Sequence, residues 1–212
     1  MKAAEARVRL VDYGMGNLRS VMNVCEYLGA PCAIAKEPKA LDEATHVILP
    51  GVGSFAEGMR QLNDRRWTPK LRAIFAEDSK PILGICLGMQ LLASEGTEGG
   101  VCEGLGLILG RIVHLPGETL RVPHMGWNEV RVGAVNEAFR PENEGDYYFV
   151  HSYYFDAQSA EDVWGVTEYG IRFASVVGRR RVLGVQFHPE KSHGLGVLLM
   201  KRFLGMSGEA RC

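Results

Sequence analysis

Short apolar runs alternate with helix-like periodicity through the first 92 residues of the chain. The apolar runs predict buried strands at residues 8–12, 31–35, 45–50 and 81–85. Apolar residues that recur every three or four positions predict helices at residues 18–29, 40–44, 55–62, 68–76 and 87–92. This alternation predicts an α/β fold with a mostly parallel central sheet flanked by helices.

The pattern changes after Leu107, where strand-like runs follow one another with little helical periodicity between them. They lie at residues 107–115, 127–132, 147–153, 163–169, 171–177 and 182–187. A glycine-rich loop is predicted at 95–106, a hairpin loop at 178–181 and a helix from Gly194. We therefore expect an antiparallel β extension in the C-terminal half. No linker or repeat interrupts the pattern, so we expect a single domain spanning residues 1–212.

Composition excludes several classes of function. The 212 residues carry a net charge of −1, which gives no electrostatic reason to expect nucleic acid or an anionic membrane as a partner. The Arg179–Arg181 run could contact phosphate, but a solvated turn is the preferred interpretation. Five cysteines without a CxxC pair suggest neither a disulfide framework nor a zinc site, and we expect no metal and no cofactor. A charged N-terminus and the lack of a long apolar run predict a cytoplasmic protein.

Cys86 is the leading candidate for a nucleophile. It lies between the predicted strand at 81–85 and the helix that follows, and Gly84 and Gly88 flank it. A nucleophile on a tight strand-to-helix turn requires small neighbours, and a thiolate at a helix start is stabilised by the helix dipole. A buried structural cysteine is the alternative. The paired glycines and the strand–turn–helix context favour the nucleophile.

Two glycine-bearing loops follow other predicted strands. Gly51, Val52 and Gly53 come directly after the strand at 45–50, and carboxyl ends of parallel strands collect ligands. Their N–H groups, with that of Leu87, would form an oxyanion hole; a merely tight loop or a phosphate loop is the alternative, although no Gly-Lys-Ser/Thr is present. The turn at 14–16 supplies only two of the three glycines of a dinucleotide-binding fingerprint.

His188 and Glu190 supply the remaining catalytic groups. They stand two positions apart at the end of a predicted strand, so their side chains point to the same side. Glu190 would orient the imidazole, and His188 would take the proton of Cys86. A lone histidine at a strand end is usually structural, but this histidine is paired with a carboxylate and with the Cys86 turn. The residues favour a Cys-His-Glu triad.

Three separated motifs occur in an order that resembles the class I, triad-type glutamine amidotransferases, whose fold is flavodoxin-like. They are Gly84-Ile85-Cys86-Leu87-Gly88-Met89-Gln90, Pro50-Gly51-Val52-Gly53 and Gln186-Phe187-His188-Pro189-Glu190. Within that family, the segments at 12–18, 123–128 and 148–153 and Lys191 are similar to glutaminase subunits of imidazole glycerol phosphate synthase, which serves histidine biosynthesis. The resemblance covers roughly residues 8–203.

The resemblance implies an activity, a substrate and a partner. Glutamine would be hydrolysed to glutamate and ammonia, and the ammonia would pass through a tunnel to a (β/α)8 cyclase subunit that makes imidazole glycerol phosphate and AICAR. The residues that would hold glutamine are Gln90, Glu98, Ser152 and Tyr153; a solvated loop position is the alternative for Glu98. The residues that would face the cyclase are Trp127, Tyr148 and Lys191; an ordinary core aromatic is the alternative for Trp127.

The glycines around Val52 suggest how the activity is regulated. A peptide flanked by glycines turns over at little steric cost. The isolated chain is therefore expected to have an incomplete oxyanion hole that is completed when the partner is occupied. Three other functions stay open at this point: a glutaminase subunit of another synthase, a stand-alone cysteine hydrolase or peptidase, and a binding subunit without turnover.

Overall fold

The structure is a computed structural model that describes residues 5–118, 120–133 and 138–206. Its helices are α1 Leu18–Tyr27, α2 Phe55–Asp64, α3 Trp67–Ala76, α4 Leu87–Gln90 and α5 His193–Gly205. Its strands are β1 Val8–Val11, β2 Cys32–Ala35, β3 His46–Gly51, β4 Ile82–Cys86, β5 Glu95–Gly96, β6 Cys102–Glu103, β7 Gly110–His114, β8 His124–Val132, β9 Gly145–His151, β10 Tyr153–Ala157, β11 Val163–Tyr169, β12 Ile171–Arg179 and β13 Val182–Val185.

The sheet has a parallel centre and an antiparallel extension, as predicted. Strands β2, β1, β3, β4 and β13 lie side by side in that order, and every neighbouring pair is parallel. From β13 the sheet continues through antiparallel pairs to β12, β10 and β7, and a branch runs from β12 through β11 and β8 to β9. The α/β fold class is therefore confirmed.

Helices cover both faces of the parallel centre, which explains its uninterrupted apolar runs. In β3, Val47 and Leu49 belong to the core shared with α2 and α3, whereas Ile48 belongs to the opposite core, shared with α1 and α5. In β4, Ile82 faces the first core, and Leu83 and Ile85 face the second. A strand buried on both faces has no polar side, so its sequence does not alternate.

Several element boundaries differ from the predictions. The helix predicted at 87–92 is a single turn, and the glycine-rich loop contains the two-residue strands β5 and β6. The run at 147–153 is divided at Ser152 between β9 and β10. The hairpin turn is narrower than 178–181, and Arg180 donates hydrogen bonds to the carbonyl oxygens of Phe75 and Ala76 at 3.3 and 3.5 Å. This arginine caps the end of α3 and is not simply solvated.

None of the helices in the described ranges is long and apolar enough to cross a membrane.

Candidate active site

Cys86 lies at the junction of β4 and α4, where the tight turn gives its backbone an unusual φ angle. Its φ is +54°, a value that non-glycine residues seldom adopt. The flanking glycines are required by contact: a Cβ on Gly88 would lie 1.7 Å from the carbonyl oxygen of Leu49, and one on Gly84 would lie 2.6 Å from that of Gly88. A strained conformation of this kind is often found at a functional site. The geometry fits the nucleophile interpretation.

The structure brings His188 and Glu190 together in the predicted way. His188 Nδ1 lies 2.8 Å from Glu190 Oε1, and both side chains are almost completely buried. Burial lowers the pKa of His188, but the neighbouring Cys86 and the Glu190 carboxylate outweigh burial and raise that pKa to about 9. A pKa of about 9 favours the protonated imidazole at neutral pH, so His188 is able to act as a proton donor.

A cavity of about 300 Å³ opens in front of Cys86. It is lined by Gly53, Cys86, Leu87, Gln90, Glu98, Pro123, Val150, His151, Ser152 and Tyr153. All four residues predicted to hold glutamine are among them. The volume is at the lower end of the range for small-molecule sites, which suits an amino acid. Within the described residues, no group of three or more His, Cys, Asp or Glu side chains is placed to hold a metal ion.

Gln90 and Gln186 form a hydrogen-bonded pair beside the sulfur. Gln90 Nε2 donates to Gln186 Oε1 at 3.0 Å, and Gln186 Nε2 donates to Cys86 Sγ at 3.9 Å. A donor to sulfur stabilises negative charge on it. The sequence prediction gave Gln186 no role, although it stands two residues before His188. A polar residue that ends an otherwise apolar run was the available signal.

Two of the predicted oxyanion donors, Leu87 and Gly51, lie next to the Cys86 turn. Leu87 is the first residue of α4, so its N–H has no partner within the helix. Gly51 lies opposite Cys86 in the β3–β4 ladder, and a Cβ there would lie 2.2 Å from Tyr13 Oη and 3.0 Å from the nitrogen of Gly88. The loop backbone thus approaches the turn as closely as glycine allows.

Val52 and Gly53 complete this loop at a more open position. The Val52 side chain is 46% exposed, and Gly53 has a φ of +111°. A Cβ on Gly53 would lie 2.6 Å from the Met15 side-chain end. A Cβ on Gly53 would thus meet a side chain that is able to move, whereas one on Gly51 would meet the Tyr13 hydroxyl and the backbone of the strand-to-helix turn at 84–88, which we call the Cys86 elbow.

Glu98 has a structural contact that the sequence did not predict. Its Oε2 accepts a hydrogen bond from the backbone nitrogen of Phe55 at 2.8 Å, at the first residue of α2. Ser54, which precedes α2, makes no side-chain cap of its own. Glu98 therefore caps α2 from another loop while it also lines the cavity.

The three residues predicted to face a partner form one exposed cluster. Trp127 is 48% exposed, its ring lies edge-on to Tyr148 at 6.1 Å, and Lys191 Nζ lies 5.5 Å from the centre of the Tyr148 ring. Trp127 also stacks on His193 with ring centres 5.0 Å apart, and Met125 is exposed beside it. An exposed aromatic cluster of this kind is typical of a protein interface. Trp127 is not a core aromatic.

Comparison with known proteins identifies the family to which the chain belongs. The family model "Glutamine amidotransferase class-I" matches residues 9–204. The chain is similar to "Imidazole glycerol phosphate synthase subunit HisH" of Bacillus velezensis, with 42% identity over 95% of this chain and 97% of that protein. The same subunit of Moorella thermoacetica is 46% identical, covering 92% of this chain and 93% of the relative. That of Methanosarcina acetivorans is 45% identical, covering 94% and 98%.

Solved structures support the fold at much lower identity. A structure titled "Crystal structure of glutamine amidotransferase" aligns with a TM-score of 0.74 and 19% identity, covering 94% of this chain and 97% of that one. A chain of "Structure of PurLQS from Thermotoga maritima" aligns with the same TM-score and identity, covering 97% and 99%. The family match and the HisH relatives together cover nearly the whole sequence: the chain belongs to the class-I glutamine amidotransferases and, within them, to the HisH subunits of imidazole glycerol phosphate synthase.

Proposed function

We propose that this chain hydrolyses glutamine with Cys86 as nucleophile, His188 as general acid and base, and Glu190 as the carboxylate that orients His188. The observation that carries the proposal is the strained Cys86 turn on the wall of the cavity, with Gly53 of the glycine loop on the same wall and Cys86 acting on the buried His188, which is hydrogen-bonded to Glu190 at 2.8 Å. In this proposal Cys86 is the nucleophile, the His188–Glu190 pair transfers protons, and the glycine loop donates N–H groups to the developing negative charge.

The reaction uses these groups in order. The Cys86 thiolate attacks the side-chain carbonyl carbon of glutamine, and the oxygen becomes negatively charged. The N–H of Leu87 and an N–H of the loop at 51–53 stabilise that charge. Protonated His188 gives its proton to the leaving nitrogen, so ammonia departs and a thioester remains. Neutral His188 then takes a proton from water, whose oxygen attacks the thioester and releases glutamate, and the thiolate is restored.

The cavity walls are proposed to recognise glutamine. Gln90, Ser152, Tyr153 and Glu98 line the space in front of the sulfur. Carboxylate and amide groups are the natural partners of an α-ammonium and an α-carboxylate. Because Glu98 also accepts a hydrogen bond from Phe55, its contribution to the substrate would come through the remaining oxygen.

The ammonia is proposed to pass to a (β/α)8 cyclase subunit that produces imidazole glycerol phosphate and AICAR in the cytoplasm. The relatives are named as subunits of that synthase, which supports such a partner and argues against the subunit of a different synthase. The exposed cluster of Trp127, Tyr148 and Lys191 is the proposed contact surface. Trp127→Ala is expected to weaken cyclase binding about 30-fold, by roughly 2 kcal/mol, as for a typical interface anchor.

The decisive experiment measures glutamate release by the chain alone, with the cyclase subunit, and with the cyclase and its ligand. The expected result is low activity alone and strong stimulation in the loaded complex, because the oxyanion loop is completed there. Cys86→Ala should abolish both. Equal rates with and without the partner would contradict the regulation, and hydrolysis of peptides or esters in preference to glutamine would indicate a stand-alone hydrolase.

A trapping experiment tests the remaining alternative, a binding subunit without turnover. A glutamine-analogue electrophile should label Cys86 in the wild type and leave Cys86→Ala unlabelled. Absence of labelling in the loaded complex would favour the binding subunit.

A further inference from the structure

A chain of hydrogen bonds starts on β8, the strand that carries Trp127, and crosses to the cavity wall. Asn128 Nδ2 lies 3.2 Å from His124 Nε2, and His124 Nδ1 lies 2.9 Å from His151 Nε2. The other nitrogen of His151, Nδ1, lies 2.8 Å from the carbonyl oxygen of Tyr153. His124 and His151 are directly opposite each other in the β8–β9 ladder, so the two rings bridge these strands.

The chain then continues from the cavity wall to the sulfur. The carbonyl oxygen of Tyr153 also accepts a hydrogen bond from Gln90 Nε2 at 3.0 Å. Gln90 donates to Gln186, and Gln186 donates to Cys86 Sγ. Every link between Asn128 and Cys86 is therefore a hydrogen bond, and the links are continuous.

Backbone groups at both ends fix the direction of each bond. The carbonyl of Tyr153 only accepts, so His151 carries its proton on Nδ1 and its Nε2 is an acceptor. His124 must therefore donate from Nδ1, which leaves its Nε2 as an acceptor for Asn128. The Asn128 amide is oriented by two further contacts: its Nδ2 donates to Glu168 O at 3.0 Å, and its Oδ1 accepts from Glu129 N at 2.8 Å.

Burial keeps both rings neutral, as this arrangement requires. His124 is 2% exposed and His151 is 6% exposed. Burial lowers the pKa of His124 to about 4 and that of His151 to about 3. The His124 ring is stacked with Phe149 and Tyr169, with ring centres 4.8 and 4.0 Å apart. A second proton on either ring would direct two N–H groups at each other.

We propose that His124 and His151 are positioning residues that hold the Tyr153 carbonyl, and through it Gln90 and Gln186, in place against the Cys86 sulfur. The inference rests on the proposed role of Cys86 as nucleophile. It makes the location of β8, the strand that carries the proposed partner surface, a determinant of the environment of the sulfur. Neither histidine exchanges a proton with the substrate in this role.

The experiment compares two substitutions at His124 in the full-length protein. In His124→Leu, the Nε2 of His151 loses its donor, so the series of hydrogen bonds is interrupted between His124 and His151. In His124→Asn, the side-chain amide occupies the position of the ring Nδ1 and still donates to His151. Both variants lose the stacked ring and the acceptor of Asn128 Nδ2, and they differ in whether a donor to His151 remains. His46→Leu is a second control, because His46 is also buried and hydrogen-bonded, to Thr45 and Met206, but lies outside this chain.

Two readouts are used. The first is the rate at which iodoacetamide alkylates Cys86 at pH 7, followed by mass spectrometry of the Cys86 peptide. The second is kcat/KM for glutamine in the complex with the cyclase. We expect both to fall about 10-fold or more in His124→Leu, as for a small displacement of a reacting group, and to stay close to wild type in His124→Asn and His46→Leu. Equal losses in His124→Leu and His124→Asn, or no loss in either, would overturn the proposal.

Nitrogen NMR of the imidazole rings tests the arrangement without any catalysis. The expected spectrum at pH 7 shows neutral rings with the proton on Nδ1 for both His124 and His151. An Nε2–H tautomer or an imidazolium at either position would overturn the proposal. If Cys86→Ala retained glutaminase activity, the proposed function would fail, whereas the NMR result and the alkylation rates would still report on the hydrogen-bonded chain.

Discussion

The two sides of the candidate site, the Cys86 elbow and the outer part of the glycine loop at 52–53, differ in how tightly surrounding atoms enclose them. At the elbow, the space for Gly84 and Gly88 is closed by backbone atoms, and Cys86 is buried. At the loop, Val52 is half-exposed, and the one close neighbour that a Cβ on Gly53 would meet among the described residues is the end of the Met15 side chain. Backbone atoms in a packed turn are less able to move away from a clash with a new Cβ than the end of a flexible side chain. The difference supports the proposal that the elbow holds the nucleophile in one position, while the loop is the part that changes when the partner is occupied.

Gly88→Ala should have the largest effect, because it places a Cβ 1.7 Å from the Leu49 carbonyl oxygen. We expect a loss of more than about 3 kcal/mol in the free energy of unfolding, beyond the usual cost of overpacking. Urea denaturation with circular dichroism measures it. Gly194→Ala is the control and should be nearly neutral, since no other part of the described structure lies within 4 Å of a Cβ placed there, apart from its chain neighbours and its own helix backbone. Normal stability of Gly88→Ala would show that the elbow is not rigid.

Gly53→Ala should damage activity more than stability. A Cβ at a φ of +111° is strained, so the loop should shift, and the Met15 side chain is able to move aside. If an oxyanion donor is displaced, the stimulated glutaminase rate should fall about 10²-fold. The assay is glutamate release in the loaded complex, with unfolding measured in parallel. A stability loss as large as that of Gly88→Ala would remove the distinction between the two sides.

The pH dependence of stability should be carried by the elbow side. The pKa of His188 is raised from 6.5 to about 9, so the folded state holds its proton more tightly than the unfolded state. This contribution is complete below about pH 6.5 and is lost as the pH rises through about 9. The free energy of unfolding should therefore decline over that interval in wild type and in Gly53→Ala.

Glu190→Gln is the matched variant for this measurement. It replaces the carboxylate that helps to raise the His188 pKa with a neutral amide of the same size, so its decline should be shallower. Parallel curves for wild type and Glu190→Gln would show that the pair does not titrate as described. Burial lowers the pKa values of His124 and His151, which act in the opposite sense and reduce stability as the pH falls below 6.5.

Glu98→Ala should give the smallest effect and assign the role of this residue. Loss of the hydrogen bond to Phe55 should cost about 1 kcal/mol of stability, as for other helix caps. If Glu98 also binds the α-ammonium group, KM for glutamine should rise as well, with little change in kcat. Urea denaturation measures the loss of stability, and steady-state kinetics measures the change in KM, so the two roles are separated. An unchanged KM would leave Glu98 as a cap only.

The parallel half, the tight turn at Cys86 and the His188–Glu190 pair were predictable because steric and hydrophobic demands leave clear marks there. Strands buried on both faces give continuous apolar runs, and backbone contacts at Cys86 require glycines on both sides. The pairing of His188 with Glu190 followed from the two-residue period of extended chain. The structure brought these residues together as expected.

The hydrogen-bonded chain was not predictable, because each of its members, taken alone, resembles an ordinary polar residue. His124 and His151 are 27 positions apart, and only the β8–β9 register places them opposite each other. Gln186 gains its meaning from Gln90, which lies on a different element. The strands β5 and β6 escaped prediction because two residues show no periodicity.

The stack of Trp127 on His193 has a practical consequence for anyone who would engineer this protein. His193 begins α5, and only two residues separate it from Glu190. Ser192, between them, ties this turn to both the His188 carbonyl and the Tyr148 backbone nitrogen. A library that redesigns the exposed cluster for a new partner therefore also changes the residues that support the proposed catalytic base. Selection for binding alone would recover variants that bind the new partner tightly but do not hydrolyse glutamine.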